Sequence, residues 1–215
     1  MAGVNNSTIA TEEGMGQLEP CTTVLNIILP CVMAVLIVGT VFGNAVVMVV
    51  IGKTPATRQA MDCLLLNLVF AGFIYGIFVL PLTLISSAYG RWTFGPTTCK
   101  VKGFATALLS SVSWGTLALI SLEKYIAILK PLRYTQLVTK NRILASVTIL
   151  WSSMAIITLP PFFGWAKYDF IPVTCTCAIV WRESPSYLYT SLCVGFLPSA
   201  LLINYAYLNI LKVTR

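Results

Sequence analysis

The 215-residue sequence contains no histidine and carries very little charge. Histidine is the commonest general base and a common metal ligand, so its absence argues against much hydrolytic and metal-dependent chemistry. Cys175-Thr176-Cys177 has no second cysteine pair that would complete a zinc site. Only 10% of the residues are charged, far below the roughly 25% that is usual in soluble domains. We expect neither an enzyme nor a metal site.

Five long stretches of the chain contain no charged residue. Each has 20 residues or more, and about 20 apolar residues in a helix span a hydrocarbon core of ~30 Å. The stretches are Pro20–Gly52, Cys63–Gly90, Gly103–Leu122, Ile143–Ala166 and Ser184–Leu211. A β-barrel would instead show short strands that alternate polar and apolar residues. We therefore predict an all-α membrane protein.

The predicted domain organisation is a polar segment, residues 1–20, followed by a transmembrane helical bundle over residues 21–215. The charge-free stretches and the prolines near them place the five helices within the bundle. Their predicted limits are residues 24–52, 61–87, 98–130, 142–164 and 187–213.

The basic residues are divided unevenly between the two ends of these helices. One set of alternate loops holds nine of them: Lys53, Arg58, Lys124, Lys130, Arg133, Lys140, Arg142, Lys212 and Arg215. The five basic residues of the other set are balanced by five acidic ones. Because cytosolic loops carry the excess of lysine and arginine, we predict an extracellular N-terminus and a cytosolic C-terminus. The net charge of +7 then reflects topology and contact with the lipid bilayer, not nucleic-acid binding.

The N-terminal segment agrees with this orientation. It contains no lysine or arginine, and Asn5 and Asn6 each begin an acceptor sequence for N-glycosylation. No cleavable signal peptide is evident, so the first helix is expected to act as its own signal anchor. These features predict a multi-pass glycoprotein of the plasma membrane.

A series of short motifs follows the predicted helices in chain order. They are Gly43-Asn44, Asn67-Leu68 with Ala71, Pro81, Trp92-Thr93-Phe94-Gly95 before Cys99, Glu123-Lys124-Tyr125, Trp151, and Phe196-Leu197-Pro198. With these motifs the chain resembles the rhodopsin-like (class A) G-protein-coupled receptors, in the neighbourhood of opsins and orphan receptors. The resemblance implies the first five helices of a seven-helix bundle, an extracellular ligand and a heterotrimeric G protein as partner.

The resemblance also implies a disulfide and a ligand pocket. In the family, a cysteine at the top of the third helix bonds to the second outer loop, which here means Cys99 with Cys177, or with Cys175 as the alternative. The pocket candidates are Thr106, Ala107 and Ser110. An equally good interpretation is that these three small residues only allow close helix packing.

Glu123-Lys124-Tyr125 stands where the family has its activation triplet for G-protein coupling. Lys124 replaces an arginine, and a lysine cannot reproduce a bidentate guanidinium contact. The alternative is that Glu123 and Lys124 are solvated charges at the membrane surface. Gly72 replaces the aspartate that helps to bind sodium in the family, so control by sodium is expected to be weak or absent.

The resemblance to opsins does not extend to retinal. Opsins bind retinal through a lysine of the seventh helix, which lies beyond this sequence. Lys102 and Ile171 occupy the two positions where a counter-ion carboxylate is expected, and a cation there would repel a protonated Schiff base. We expect no cofactor and disfavour a light sensor.

Two explanations account for a sequence of five spans. It is a fragment of a complete receptor, or it is a truncated isoform that does not signal and associates with full-length receptors. The spacings Gly39-x-x-x-Gly43 and Gly72-x-x-x-Gly76 predict close helix contacts, within the bundle or with another receptor protomer. A transporter is disfavoured, since the five stretches contain no Asp, Glu, Lys or Arg and no repeat is evident.

Overall fold

The computed structural model of the protein describes residues 23–53 and 60–214. Segment 1–20, with Asn5 and Asn6, lies outside the described residues. Five helices in the described part are long and apolar enough to cross a membrane: Pro30–Lys53, Met61–Tyr89, Gly95–Leu129, Lys140–Phe163 and Pro185–Val213. Helices form there because backbone polar groups in lipid must be satisfied within the chain. The predicted class, a helical membrane protein, is confirmed.

Two of the helices contain a π-helical segment. The first helix covers Thr23–Lys53, the third Gly95–Leu129 and the fourth Lys140–Thr158. The second consists of Ala60–Ile74, the π segment Tyr75–Val79 and Leu80–Tyr89; the fifth consists of Pro185–Thr190, the π segment Ser191–Phe196 and Leu197–Thr214. A 3₁₀ turn, Pro131–Arg133, and a short helix, Tyr134–Leu137, join the third helix to the fourth.

Prolines determine how the fourth helix ends. Its α-helical part stops at Thr158, and Pro160–Phe163 forms a 3₁₀ turn. Pro161 has no N–H, so it cannot donate to the carbonyl of Ile157 as an α-helix would require. Tyr187 donates its hydroxyl to that carbonyl at 2.9 Å, and Tyr168 donates to the carbonyl of Thr158 at 2.7 Å. Burial raises the pKa of Tyr168, so its hydroxyl keeps the proton that it donates.

A β-hairpin between the fourth and fifth helices is an addition to the predicted fold. Strand β1, Tyr168–Ile171, pairs antiparallel with β2, Thr176–Ile179, in a register that places Phe170 opposite Cys177. Four residues per strand are too few for alternation to be recognised in the sequence. The hairpin packs on the third helix and covers that end of the bundle.

Asn67 joins three helices through its side-chain amide. Trp151 of the fourth helix donates from Nε1 to Asn67 Oδ1 at 2.8 Å, and Asn67 Nδ2 donates to Thr116 Oγ1 of the third helix at 2.8 Å. An apolar core lies around this polar centre: Ala71, Val79, Leu109, Val112 and Met154. The third helix thus lies between the second, fourth and fifth helices, all of which it contacts.

The two Gly-x-x-x-Gly spacings, in the first and the second helix, differ in their contacts. Gly76 lies close to the first helix, where a Cβ would come within 2.9 Å of Val41 Cγ2. A Cβ on Gly39 or on Gly43 would meet no atom of the described residues within 4 Å. Among the described residues, only the spacing in the second helix therefore contributes a close contact between helices.

Candidate functional site

A disulfide fixes the hairpin to the third helix. It joins Cys99 to Cys177, with 5.3 Å between their Cα atoms. Of the two cysteines that the sequence left as alternatives, Cys177 lies within β2, while Cys175 lies in the turn before it in a left-handed conformation (φ 47°). The Cys175 thiol donates to the carbonyl of Pro172 at 3.4 Å. The bridge holds β2 against the N-terminal end of the third helix.

Lys102, one turn further along the third helix, adds a second attachment. Its side chain is buried, and Nζ donates to Thr176 Oγ1 and, at 3.1 Å, to the carbonyl oxygen of Cys177. Both acceptors belong to β2. Thr83 of the second helix contacts the same Thr176 hydroxyl, with 3.4 Å between the oxygens. The second helix, the third helix and the hairpin meet at this point.

A cavity of about 620 Å³ lies beside the hairpin, among the third, fourth and fifth helices. Its volume is in the range of ~300–1,000 Å³ that small-molecule sites occupy. Its lining is apolar, aromatic or hydroxyl-bearing: Gly103, Thr106, Ala107, Ser110, Ser111, Trp114, Ile157, Thr158, Ala178, Ile179, Trp181, Tyr187, Leu188, Ser191, Leu192, Gly195 and Phe196. No charged side chain of the described residues lines this cavity.

The three pocket residues proposed from the sequence all line the cavity. Thr106 donates its hydroxyl to the carbonyl of Lys102 at 2.8 Å, so the oxygen's lone pairs remain available to a ligand. Two further residues, Gly103 and Trp114, lie on the same helix face as Ala107 and Ser110. The helical spacing of three and four residues could have identified both of them from the sequence.

Four aromatic side chains that were not among the predicted pocket residues form much of the wall: Trp114, Trp181, Tyr187 and Phe196. Trp114 stacks on Phe196 with ring centroids 5.0 Å apart, which joins the third helix to the π segment of the fifth. Trp181, which follows the hairpin, stacks on Tyr187 at 5.9 Å. The first contact joins residues 82 positions apart and the second joins residues six apart across the turn into the fifth helix, and no local pattern indicates either of them.

The opposite end of the third helix carries the triplet Glu123-Lys124-Tyr125. Glu123 is 4% exposed, and its Oε1 accepts a hydrogen bond from the hydroxyl of Tyr134. Lys124 Nζ lies 3.8 Å from Glu123 Oε2 and 2.9 Å from the sulfur of Met61. The Tyr125 ring contacts the ring of Tyr205 in the fifth helix, with centroids 5.6 Å apart.

The carboxylate of Glu123 is therefore a buried group with a specific partner, which does not fit a solvated surface charge. Tyr134 is the residue that sequence reasoning missed, because nothing local links it to Glu123. Next to it, Leu132 is 94% exposed beyond the end of the third helix. Lys130 and Arg133 flank this leucine in the sequence.

Comparisons with known proteins agree with the helical arrangement described above. A family model described as "7 transmembrane receptor (rhodopsin family)" matches residues 43–215. Melanopsin of Branchiostoma belcheri is 30% identical over 179 residues, which cover 81% of this chain and 25% of that protein. G-protein coupled receptor 52 of Mus musculus is 32% identical over 175 residues, covering 80% of this chain and 48% of that receptor.

The crystal structure of squid rhodopsin has a similar fold. The TM-score is 0.82 at 24% sequence identity, over 89% of this chain and 53% of the squid protein. At this identity the likeness concerns the fold alone. The chain spans from a quarter to about half of the length of these three proteins.

Proposed function

Because the chain belongs to the rhodopsin family of seven-transmembrane receptors, we propose that it senses an extracellular ligand and signals to a heterotrimeric G protein. One observation carries the proposal: the third helix lines the cavity at one end and holds the buried Glu123 at the other. From Ser110 to Glu123 the helix rises by about 20 Å at ~1.5 Å per residue. A ligand and an inner partner would both contact this one helix.

The cavity supports the ligand-binding half of the proposal. A small molecule in it would contact Thr106, Ala107 and Ser110 on one side and Trp181 and Tyr187 on the other. Predominantly apolar walls with a few hydroxyls are typical of sites that bury most of a small ligand. Since the disulfide attaches β2 to the third helix, Ala178 and Ile179 are held in place as part of the wall.

The opposite end of the third helix supports the second part of the proposal, contact with a G protein. Leu132 projects from the 3₁₀ turn after the third helix, and Lys130 and Arg133 lie within two residues of it in the sequence. An exposed leucine with basic residues near it in the chain is suited to an apolar pocket with an acidic rim on a partner. The nine basic residues that the sequence assigns to this set of alternate loops also support the proposed cytosolic side and a plasma-membrane receptor with an extracellular N-terminus.

Retinal does not fit the residues that this chain supplies. Melanopsin and squid rhodopsin are among the similar proteins, but the position three residues after Cys99 holds the buried cation Lys102. A second cation, such as a protonated Schiff base, would be repelled there. A ligand other than retinal is therefore part of the proposal, and so is a non-catalytic role, in keeping with the receptors and opsins among the relatives.

A second candidate function is association with a full-length receptor without signalling. It is supported by the face of the first helix that carries Gly39 and Gly43, where a Cβ would meet no atom of the described residues. Small residues on a free face let another helix approach closely in the membrane. The same face would equally suit a further helix of a longer chain.

One measurement separates the two candidates, and it begins with the native transcript beyond the Arg215 codon. The product of the longest reading frame is then expressed and tested for nucleotide exchange on purified heterotrimeric G proteins. Exchange that falls when Leu132 is replaced supports the receptor. A stop codon after Arg215, together with a chain that co-purifies with full-length receptors and catalyses no exchange, would establish the alternative.

A further inference from the structure

Lys102 is a buried cation, and no acidic residue of the described ranges pairs with it. Its side chain is 2% exposed, and its ammonium donates to two neutral acceptors, Thr176 Oγ1 and the carbonyl of Cys177. The ion pairs within those ranges are Lys124 with Glu123 and Lys167 with Glu183. A buried charge is costly unless an opposite charge compensates for it.

The four acidic residues of the described ranges are all engaged or located elsewhere. Asp62 and Glu123 lie at the opposite end of the bundle. Glu183 pairs with Lys167 at 3.0 Å, and the exposed Asp169 accepts from its neighbouring backbone N–H. An ammonium has three donors and Lys102 uses two, so one donor and the full charge lack a partner within these ranges.

A buried hydroxyl of the second helix, one turn from Thr83, is also unsatisfied. Ser86 is 0% exposed, and its Oγ has no hydrogen-bond partner among the described residues. It follows Thr83 by three residues in the second helix, so the two share a helix face. Thr83 contacts the Thr176 hydroxyl that accepts from Lys102. Unsatisfied buried hydroxyls are rare in native structures, and a carboxylate could accept from Ser86 as well as from Lys102.

This polar cluster adjoins the cavity. Gly103, which follows Lys102, and Ala178, which follows Cys177, both line the cavity wall. Lys102 does not itself line the cavity, but its ammonium is bonded to β2, the strand that forms part of the wall. A ligand with an apolar body in the cavity could place an acidic group at this edge.

We propose that the ligand is an organic acid whose carboxylate pairs with Lys102 and accepts from Ser86, while its apolar body fills the cavity. This inference rests on the proposed function, because it specifies the chemistry of the extracellular ligand. It also agrees with the poor fit of cationic ligands and of a protonated Schiff base at this position.

The test compares matched pairs of small acids and their primary amides. Phenylacetate, indole-3-acetate and decanoate are each titrated beside the corresponding amide into the 215-residue chain in lipid nanodiscs, and dissociation constants are measured by calorimetry. Loss of one partner of a desolvated charge pair predicts an acid that binds about thirtyfold more tightly than its amide. Lys102→Met and Lys102→Gln should reduce this preference to less than about threefold.

Lys100→Met is the matched control, since Lys100 is an exposed lysine two residues away on the same helix; it should keep the full preference. Lys102→Gln retains a donor for Thr176 and Cys177 and separates loss of charge from loss of structure. If neither Lys102 variant folds, the comparison of acid with amide in the unmodified chain decides by itself.

The alternative outcomes are distinct. Equal binding of acid and amide, or a preference that survives in Lys102→Met, overturns the assignment of an anionic ligand and leaves the cavity as a site for neutral molecules. A preference that is lost in a longer native receptor would identify an acidic side chain of that receptor as the partner of Lys102, and also overturns the assignment. No binding by any acid or amide would count against the ligand-binding role itself.

Discussion

Gly72 of the second helix lies so close to Asn44 of the first that a Cβ on Gly72 would come within 2.9 Å of Asn44 Oδ1 and Nδ2. The Asn44 amide, which donates to the carbonyl of Thr40 at 2.7 Å, occupies the space that a larger side chain would need. The glycine is therefore part of the packing between these helices.

Gly72→Ala should destabilise the bundle because the added methyl group displaces the Asn44 amide. Overpacking of this kind typically costs about 1–3 kcal/mol. Thermal unfolding of the purified chain in detergent measures the effect. Gly39→Ala is the control: its Cβ meets no atom within 4 Å, so the stability should stay unchanged or rise. Equal losses in both variants would show that the Asn44 contact does not matter.

Sodium should not stabilise this chain specifically. The position that carries the sodium-binding aspartate in the family is Gly72, and Asn44 alone offers no formal negative charge. Oxygen ligands without a carboxylate compensate poorly for the desolvation of a cation. The melting temperature in sodium chloride should equal that in choline chloride at the same ionic strength. A rise that saturates with sodium concentration would contradict this expectation.

Asn67 and Trp151 should show a measurable coupling energy. Their hydrogen bond of 2.8 Å joins the second helix to the fourth near the centre of the bundle. Bonds between membrane helices contribute about 0.6 kcal/mol on average and up to ~1.7 kcal/mol. A double-mutant cycle of Trp151→Phe and Asn67→Leu, read by thermal or denaturant unfolding, isolates this quantity. Strict additivity of the two losses would mean that the bond contributes nothing.

Tyr134 should stabilise the fold in a pH-dependent way. Burial, the hydrogen bond to Glu123 and the negative charge of that residue raise the pKa of Tyr134 from 10.0 to about 12. The folded chain favours the neutral phenol, so the contribution is complete below pH 10 and is lost as the pH rises towards 12. Melting temperatures of the unmodified chain and of Tyr134→Phe should converge over this range. Tyr89→Phe, which removes an exposed phenol, controls for alkaline damage. A difference in melting temperature between the unmodified chain and Tyr134→Phe that stays constant over this range would refute the expectation.

Leu132→Asp should impair G-protein coupling and leave ligand binding intact. The side chain is 94% exposed, and burying a leucine against a partner contributes roughly 1.5–3 kcal/mol. Its replacement should lower the rate of nucleotide exchange at least about tenfold at subsaturating G protein. Thr135→Asp, at an exposed position of the same loop, is the control for added negative charge. Equal rates for Leu132→Asp and the unmodified receptor would remove this loop from the proposed interface.

The helices were predictable because the absence of charge over 20 residues is a local property of the sequence. A segment of this kind forms a helix in lipid, since its backbone polar groups must be satisfied within the segment. The motifs likewise placed Cys99 and Glu123 at opposite ends of one helix. The hairpin was missed, since its strands are short and Cys175 adopts an uncommon backbone conformation. The partners of Lys102 and Glu123 were missed for another reason: they lie in β2 and in the short helix Tyr134–Leu137, between the transmembrane helices, and their positions depend on the folded chain.

Hydrogen bonds link the end of the fourth helix to two elements that border the cavity. Two successive carbonyls, those of Ile157 and Thr158, accept from Tyr187 of the fifth helix and from Tyr168 of the hairpin. A tilt at this end of the fourth helix would therefore displace the hairpin and the fifth helix together. The strand over the cavity and the helix along its side are therefore both hydrogen-bonded to the end of the fourth helix. There Pro161 lacks the N–H that would bond to Ile157, and the 3₁₀ turn leaves the carbonyl of Thr158 to Tyr168.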